Sequence, residues 1–247
     1  FQYKQVEHFK YVAEFYDSKL SETSFWKAVD FNTLGVWAKQ HCKDIRNVLE
    51  IGCGTGRETL ELARSGFQVT AVDICYPVAQ KARQKAKMSR ISPIPEFVIA
   101  EAESLPFRHN CFESIVFAGV LHHVAEPQQV IQEIDRLLRP RGVVYGYENN
   151  ASMFRFLFNV LMKFWKLWDE EAGTHPLIHE KHVKKWANST NLLFKTTSMV
   201  FLPPHLFKLL PVTIAKHVLA ITDKFFSMLP FFRKNGGLLV ISGTKAG

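Results

Sequence analysis

Residues 48–57 of this 247-residue chain read Val-Leu-Glu-Ile-Gly-Cys-Gly-Thr-Gly-Arg, a short apolar run that ends in a glycine-rich turn. The apolar run predicts a buried strand, and residues 58–65 after the turn have the spacing of a helix. Glycines let a ligand approach backbone that a Cβ would block. The stretch therefore predicts a strand, a ligand-binding turn and a helix, in that order.

The same alternation continues towards the carboxyl terminus. Predicted strands lie at 68–73, 96–100, 114–118 and 142–147, and predicted helices lie at 78–88 and 128–138. Strands that alternate with helices form a parallel, doubly wound sheet through right-handed crossovers. Such a sheet binds its ligand beyond the carboxyl ends of the strands.

The spacing of the glycines argues against a dinucleotide. The dinucleotide fingerprint would place its third glycine at position 57, where the chain has Arg57 and the glycine is instead Gly56. Glu50 precedes the turn, where a carboxylate would repel a diphosphate but suits a ligand with an ammonium and a sulfonium group. That charge pattern belongs to S-adenosylmethionine. Asp73 ends the second predicted strand, where an acid accepts hydrogen bonds from ribose hydroxyls.

Five segments resemble, in order and spacing, the motifs of class I S-adenosylmethionine-dependent methyltransferases. The similar branch is the type 11 one, which includes the ubiquinone/menaquinone-biosynthesis enzymes. The segments are residues 50–56, 72–73, 100–107, 120–124 and 138–142. The resemblance covers about residues 45–150 and weakens afterwards. Two departures are Glu113, where aspartate is usual, and Arg141, where a second glycine is usual.

The resemblance implies a donor site. Glu50 and the turn would hold the methionine part, Asp73 the ribose, and Glu101, where aspartate is more frequent, the adenine amino group. Ile74 would pack on the adenine, and Gly119 would reach the methionine carboxylate or the methyl group. The complete predicted set is Glu50, Gly52, Cys53, Gly54, Gly56, Asp73, Ile74, Glu101, Ala102 and Gly119.

The resemblance also completes the fold. Runs at 193–202 and 237–244 predict two further strands, and apolar helices at 152–168 and 211–230 read as insertions that form an acceptor lid. The predicted class is α/β, with a Rossmann-like, seven-stranded, mostly parallel sheet, helices on both faces and an antiparallel last strand. We expect a single domain over 1–247: helices in 1–44, a donor-binding core in 45–150 and an acceptor-binding part in 151–247.

His122 and His123 follow the fourth predicted strand and are the candidates for a general base. Imidazole titrates near neutrality, so either ring could take a proton from a hydroxyl or an acidic carbon. His123 is the preferred candidate, because the two residues before the pair should point into the core. The alternative is a packing role for both rings. Glu148 and Asn149 end the fifth strand at the same rim and could orient an acceptor.

We predict no metal site. His175, His179 and His182 lie near the acidic residues 169–171, but they straddle a loop and the start of a helix. Solvated or acceptor-facing roles therefore fit these histidines better than a ligand set. The four cysteines are widely spaced and form no CxxC pair, which favours a reducing, cytoplasmic compartment.

The net charge of +8 lies entirely in the second part of the chain. Residues 1–150 carry 18 basic and 18 acidic side chains, whereas 151–247 carry 13 basic and 5 acidic. The two apolar helices of that part either pack on the sheet or enclose a hydrophobic acceptor behind a basic mouth. The second interpretation favours a long-chain or prenylated acceptor and peripheral contact with a membrane.

The predicted function is methyl transfer from S-adenosylmethionine to a hydrophobic small-molecule or lipid-like acceptor, at oxygen or carbon. Two alternatives stay open. The basic charge would suit an RNA methyltransferase, although aromatic residues at helical spacing indicate buried faces rather than stacking platforms for a nucleic acid. A partner subunit that binds the donor without catalysis is the other alternative.

Overall fold

A computed structural model describes residues 45–165, 176–207 and 210–247, together with Glu7. The helices predicted before residue 45 lie outside the described residues, apart from Glu7. The strands are β1 (Asn47–Ile51), β2 (Gln68–Asp73), β3 (Glu96–Ile99), β4 (Phe112–Ala118), β5 (Leu138–Asn149), β6 (Leu192–Met199) and β7 (Leu238–Lys245). The helices are α1 (Arg57–Arg64), α2 (Tyr76–Met88), α3 (Pro127–Leu137), α4 (Met153–Phe164), α5 (Glu180–Ala187) and α6 (Val212–Met228), with a 3₁₀ turn at Pro204–Phe207.

The strands form one seven-stranded sheet in the order β3-β2-β1-β4-β5-β7-β6. β1 to β5 pair in parallel, and β7 lies antiparallel between β5 and β6. The predicted sheet with an antiparallel last strand is confirmed. Most residues of β1 and β4 are buried, since helices cover both sides of a parallel sheet.

Two hydrophobic clusters separate the faces of the sheet. On one face of the sheet, α1, α2 and α6 pack through Leu60, Ala79 and Leu219, respectively. The other face packs α3 and α5 through Ile131 and Val183. The insertions were predicted after β5 and between the last two strands, and α4 and α6 occupy those places.

Several boundaries differ from the expectation by one to four residues, among them the end of α4, which is at Phe164 rather than 168. Three elements show the differences in detail. β6 ends at Met199 rather than at 202, because Val200 has a left-handed φ of 64° and its amide donates to Asp223. β5 begins at Leu138 rather than at 142, since the chain keeps pairing with β4 across a register shift. α5 was expected only as the start of a helix, and it runs for two turns.

The sheet order reverses between β1 and β4, so their carboxyl ends diverge and leave a crevice at that edge. The loops after β1 to β5 all lie at this carboxyl edge. Together with the last residues of β1 and β2, which include Glu50 and Asp73, they contain every predicted donor residue and both predicted histidines. Among the described helices, none is both long and apolar enough to cross a membrane.

Candidate active site

The glycine turn is fastened to β2 by its backbone. The amides of Gly52 and Cys53 both donate to the carbonyl oxygen of Val72, at 2.8 and 2.9 Å. Gly52 has a φ of 72°, and a Cβ there would lie 2.4 Å from Val120 Cγ2. The turn therefore needs glycine at this position both for its left-handed backbone and for its packing against the loop after β4.

The other two glycines differ in what surrounds them. Gly56 has a φ of 85°, and a Cβ there would lie 2.8 Å from Ala82 Cβ, so the start of α1 packs directly on α2. A Cβ on Gly54 would meet no described atom within 4 Å. Gly54 thus borders an open space, which is the room that a bound donor requires next to the backbone.

Asp73 lies at the end of β2 and is fixed by the turn. Its Oδ2 accepts from the amide of Gly54 and its Oδ1 from the amide of Cys75, both at 2.8 Å. Burial raises the pKa of this carboxyl, and the backbone amides that donate to it oppose the rise. The carboxylate is oriented beside the open space at Gly54, where it fits the hydroxyls of a ribose.

Glu50 is buried at the end of β1. Thr59 donates its hydroxyl to Glu50 Oε2 at 2.5 Å. Burial raises the pKa of Glu50 well above its ordinary value, and the neighbouring Glu58 adds to the rise. A positive group nearby would offset both effects, so this position fits the cationic end of a donor.

Glu58 belongs to the same group of side chains and was not predicted from the sequence. Its Oε1 accepts from the hydroxyl of Tyr147 at 2.9 Å and pairs with Arg57. Tyr147 comes from β5, so this contact joins the start of α1 to a distant strand. The sequence contained a weak signal for it, an acid in the first turn of a helix next to the glycine turn.

The predicted adenine contacts lie after β2 and β3. Ala100 donates its amide to the carbonyl of Asp73 at 3.2 Å, which brings residues 101–102 close to Asp73. Glu101 is exposed there, whereas Ile74 is half-buried against Cys75 and Val78. The three predicted residues, Ile74, Glu101 and Ala102, are therefore at the edge where an adenine would lie.

His122 is 5% exposed and is held by Glu148, which is fully buried. Glu148 Oε2 lies 2.6 Å from His122 Nδ1, and its Oε1 accepts from the amides of Val120 and Leu121 at 2.8 and 2.7 Å. Gly119 is adjacent, since a Cβ there would lie 3.4 Å from His122 Cε1. The loop after β4 is thus fixed to the end of β5 by one buried carboxylate.

His123 is half-buried and packs against its neighbour, with the two ring centroids 4.0 Å apart. The structure brings both predicted histidines to the carboxyl edge. Their chemical role stays a prediction.

The histidines of the second part of the chain have a local explanation. Lys181 donates its amide to His179 Nδ1 at 3.1 Å, and His179 donates its amide to His182 Nδ1 at 3.3 Å. These contacts cap the start of α5. Within the described ranges, no group of three or more metal-binding side chains comes together, and His175 lies outside them.

The family model that matches is a methyltransferase domain, over residues 49–146. The chain is similar to a ubiquinone biosynthesis O-methyltransferase of Pectobacterium carotovorum, with 29% identity over 60% of this chain and 62% of that protein. The counterpart from Vibrio cholerae is 31% identical over 56% of each chain. A ubiquinone/menaquinone biosynthesis C-methyltransferase of Photorhabdus laumondii is 27% identical over 71% of this chain and 74% of that protein. The chain thus spans about three fifths of the first of these relatives.

Solved structures share the fold at low sequence identity. Magnesium protoporphyrin IX methyltransferase of Synechocystis, solved with bound S-adenosylhomocysteine, has a TM-score of 0.60, 13% identity, and coverage of 87% of this chain and 81% of that one. The [4+2]-cyclase SpnF also has a TM-score of 0.60, with 17% identity over 86% and 80% of the two chains. The glycine turn and the acids on either side of it in the sequence lie within the match to the methyltransferase domain at residues 49–146, and these solved structures share the fold around them.

Proposed function

We propose that the protein transfers the methyl group of S-adenosylmethionine to a hydrophobic small-molecule or lipid-like acceptor, at an oxygen or a carbon atom. One observation carries the proposal: Glu50 and Asp73 lie at the carboxyl ends of adjacent strands, Asp73 accepts from the amide of Gly54, and Gly54 borders an open space. Two acids at the ends of adjacent parallel strands fit a ligand that is cationic at one end and carries ribose hydroxyls in its middle.

In this proposal Glu50 faces the cationic methionine end, and Asp73 accepts from the ribose. Ile74 covers the adenine, while Glu101 accepts from its amino group and the backbone of Ala102 donates to the ring. The remaining contacts come from the backbone at Gly52, Cys53, Gly54, Gly56 and Gly119.

The donor supplies an electrophilic methyl group on a positively charged sulfur, so the protein has to align the acceptor and remove its proton. His122 and His123 are the candidates for this base, because they lie beside Gly119 at the same edge. The Glu148 carboxylate accepts from Nδ1 of His122 and would stabilise a positive charge on that ring.

The apolar acceptor is supported by α4, which begins shortly after β5 and therefore starts at the active edge. Phe154 in its first turn belongs to a cluster of rings with Phe201, Phe226 and Phe232, at centroid distances of 5.7, 5.8 and 6.2 Å. A long hydrophobic acceptor that extends beyond the methyl-transfer site would contact this cluster of aromatic rings. The O- and C-methyltransferase names of the relatives support the same acceptor class.

Peripheral contact with a membrane is the second part of the proposal. The exposed apolar stripe of α6 consists of Ile214, Ile221, Phe225 and Met228, at steps of one helical face. Lys224 is exposed next to it. Both described acids of the second part are engaged: Glu180 by Lys234 and Lys184, and Asp223 by the amides of Val200 and Phe201. A basic, apolar surface of this kind suits an anionic lipid headgroup region.

Donor binding is tested by calorimetry with S-adenosylmethionine and with S-adenosylhomocysteine. We expect saturable binding that falls by at least about 100-fold in Asp73→Ala, since two charged hydrogen bonds are lost. Glu61→Gln, on the exposed side of α1, is the matched control. Absence of saturable binding, or equal affinity in Asp73→Ala, would contradict the proposal.

Turnover is tested with the methyl-labelled donor and a prenylated catechol. Transfer to the catechol supports the proposal, whereas donor binding without transfer to any member of an apolar acceptor series supports a non-catalytic subunit. Transfer to bulk RNA would instead support an RNA methyltransferase.

Membrane contact is tested by flotation with phosphatidylglycerol vesicles. The double variant Ile221→Gln with Met228→Gln should float less than the wild type, and Met88→Gln, an equally exposed position on α2, should not change. Equal flotation of all three proteins would remove this part of the proposal.

A further inference from the structure

Four polar side chains form a hydrogen-bonded network that runs from α4 to the carboxyl edge of the sheet. Arg155 Nη1 donates to Asn149 Oδ1 at 3.2 Å, and Asn149 Nδ2 lies 3.4 Å from His122 Nε2. His122 Nδ1 lies 2.6 Å from Glu148 Oε2. This network of hydrogen bonds therefore joins α4, the first apolar insertion, to the carboxyl edge of the sheet.

The chemistry of the two ends decides the direction of every bond. A guanidinium only donates, so the Asn149 amide must turn its oxygen to Arg155 and its nitrogen to His122. An ionised carboxylate only accepts, so Nδ1 of His122 must carry its proton towards Glu148. Nε2 is then left as the accepting nitrogen of the ring, with its lone pair directed at the Asn149 amide.

Glu148 and Arg155, the two ends of this hydrogen-bonded network, are both held in place by further contacts. Glu148 is fully buried and also accepts from the amides of Val120 and Leu121, so it cannot rotate away from the ring. Arg155 belongs to the first turn of α4, where its amide donates to Ser152 Oγ at 3.1 Å. Its guanidinium lies 4.8 Å from the centre of the Phe158 ring.

We infer that Asn149 and Arg155 are positioning residues that hold Nε2 of His122, rather than either nitrogen of His123, as the base for the acceptor. This inference rests on the proposed function. The contact of 3.4 Å is the longest in the chain, so an acceptor hydroxyl that donates to Nε2 at ordinary hydrogen-bond length replaces it. The Asn149 amide, kept near by Arg155, then donates to the acceptor oxygen.

The step balances in atoms and charge. The acceptor O–H bond breaks and its proton goes to Nε2 of His122. The oxygen electron pair forms the new bond to the methyl carbon, and the pair of the breaking C–S bond returns to sulfur. The positive charge passes from sulfur to the imidazole ring, next to the Glu148 carboxylate.

Asn149→Asp is the decisive variant. An aspartate at 149 still accepts from Arg155, but it also accepts from a protonated Nε2 and so favours the charged ring. The charged groups facing His122 are then Glu148, the introduced carboxylate and, beyond it, Arg155, with the tilted ring of His123 on one side at a centroid distance of 4.0 Å. The acid limb of the pH profile of kcat/KM should move up by at least about one pH unit. Asn188→Asp, an exposed position after α5, is the control for the added charge.

A second measurement needs no turnover. In ¹⁵N-histidine NMR, with the signal assigned by its absence in His122→Gln, the ring should show the Nδ1–H form and titrate at higher pH in Asn149→Asp. Donor affinity, measured by calorimetry, should be unchanged in this variant. Arg155→Lys should retain more activity than Arg155→Ala, because it keeps one donor to Asn149.

The outcomes separate the inference from the proposed function. No donor binding by the wild type contradicts the proposed function, and the NMR result still decides the arrangement at His122. Normal methyl transfer with an unmoved acid limb and an unmoved His122 titration in Asn149→Asp overturns the inference alone. Loss of activity in His123→Gln but not in His122→Gln also overturns it.

Discussion

The carboxyl edge that holds the predicted donor residues (the donor edge) buries charged side chains, whereas the second part of the chain exposes apolar ones. At the donor edge, Glu50 and Glu148 are buried and each is held by donors from the surrounding chain. In α6, Ile221 and Met228 are 67% and 73% exposed. Buried charge and exposed apolar surface both cost free energy unless something offsets them. This difference underlies both parts of the proposed function, a charged donor at the first region and contact of the second region with an apolar surface.

At the donor edge, Gly56 packs the start of α1 directly on α2. Gly56→Ala should lower the free energy of unfolding by about 3 kcal/mol, because a strained left-handed residue and a clash with Ala82 add together. Gly66→Ala is the matched control: it has a φ of 93° but meets no described atom within 4 Å, so it should cost only about 1 kcal/mol. Chemical denaturation measures both, and equal losses would show that the clash with α2 is not real.

Phe225 and Phe226 are neighbours in α6, but one is exposed and the other packs against the interior. Variants at the two positions therefore distinguish a surface role from a packing role. Phe226 stacks on Phe201 at a centroid distance of 5.2 Å, whereas Phe225 is 58% exposed. Phe226→Ser should lower the free energy of unfolding by about 2 kcal/mol, and Phe225→Ser should change it by less than about 0.5 kcal/mol. Vesicle flotation should respond in the reverse order. If Phe225→Ser is the more destabilising variant, the exposed stripe has been assigned to the wrong face of α6.

The open space at Gly54 predicts an effect on binding rather than on folding. Gly54→Ala should weaken donor binding by at least about tenfold, since its Cβ occupies the space next to the ligand. Its cost in stability should match that of Gly66→Ala, because both replace an unobstructed left-handed glycine. Calorimetry and denaturation of the two variants test this together. Unchanged donor affinity in Gly54→Ala would place the ligand elsewhere.

Glu50 predicts a smaller effect, a proton released on donor binding. Because burial raises its pKa, the folded protein binds a proton that the unfolded chain has lost, so stability contributed by Glu50 falls as pH rises from its ordinary value towards the raised one. A cationic donor lowers this pKa and expels the proton. Calorimetry in buffers of different ionisation enthalpy should detect up to about one proton, and less in Glu50→Gln. Equal release by both proteins would assign the proton to another group.

The sequence located the strands and turns of the carboxyl edge well because their signals are local. A glycine turn after an apolar run and an acid at the end of the next strand are features of short segments, and periodicity located their elements to within a few residues. β6 shows the limit of this reasoning. Its apolar run continues to 202, but the left-handed Val200 and the carboxylate of Asp223 end the strand at Met199.

Contacts between distant segments were not readable in the same way. The preference for His123 assumed that Val120 and Leu121 point into the core, and both are buried there. The contact of His122 with Glu148, 26 residues further on, could not be read from that pattern. Glu58 with Tyr147 is a second example, since 89 residues separate them. Neither pair has a spacing that a single helix or strand could reveal.

By itself, the amino-acid sequence determined the order of strands and helices, the parallel sheet, the donor class and the location of the basic charge. Each of these follows from residue type and local period, which act over one turn of helix or a few residues of strand. Only the tertiary structure decided which side chains share a hydrogen bond: Asp73 with the glycine turn, Glu148 with His122, and Arg155 with Asn149. These pairs form because strand order and the start of α4 bring remote backbone to one edge, where buried polar groups must find partners.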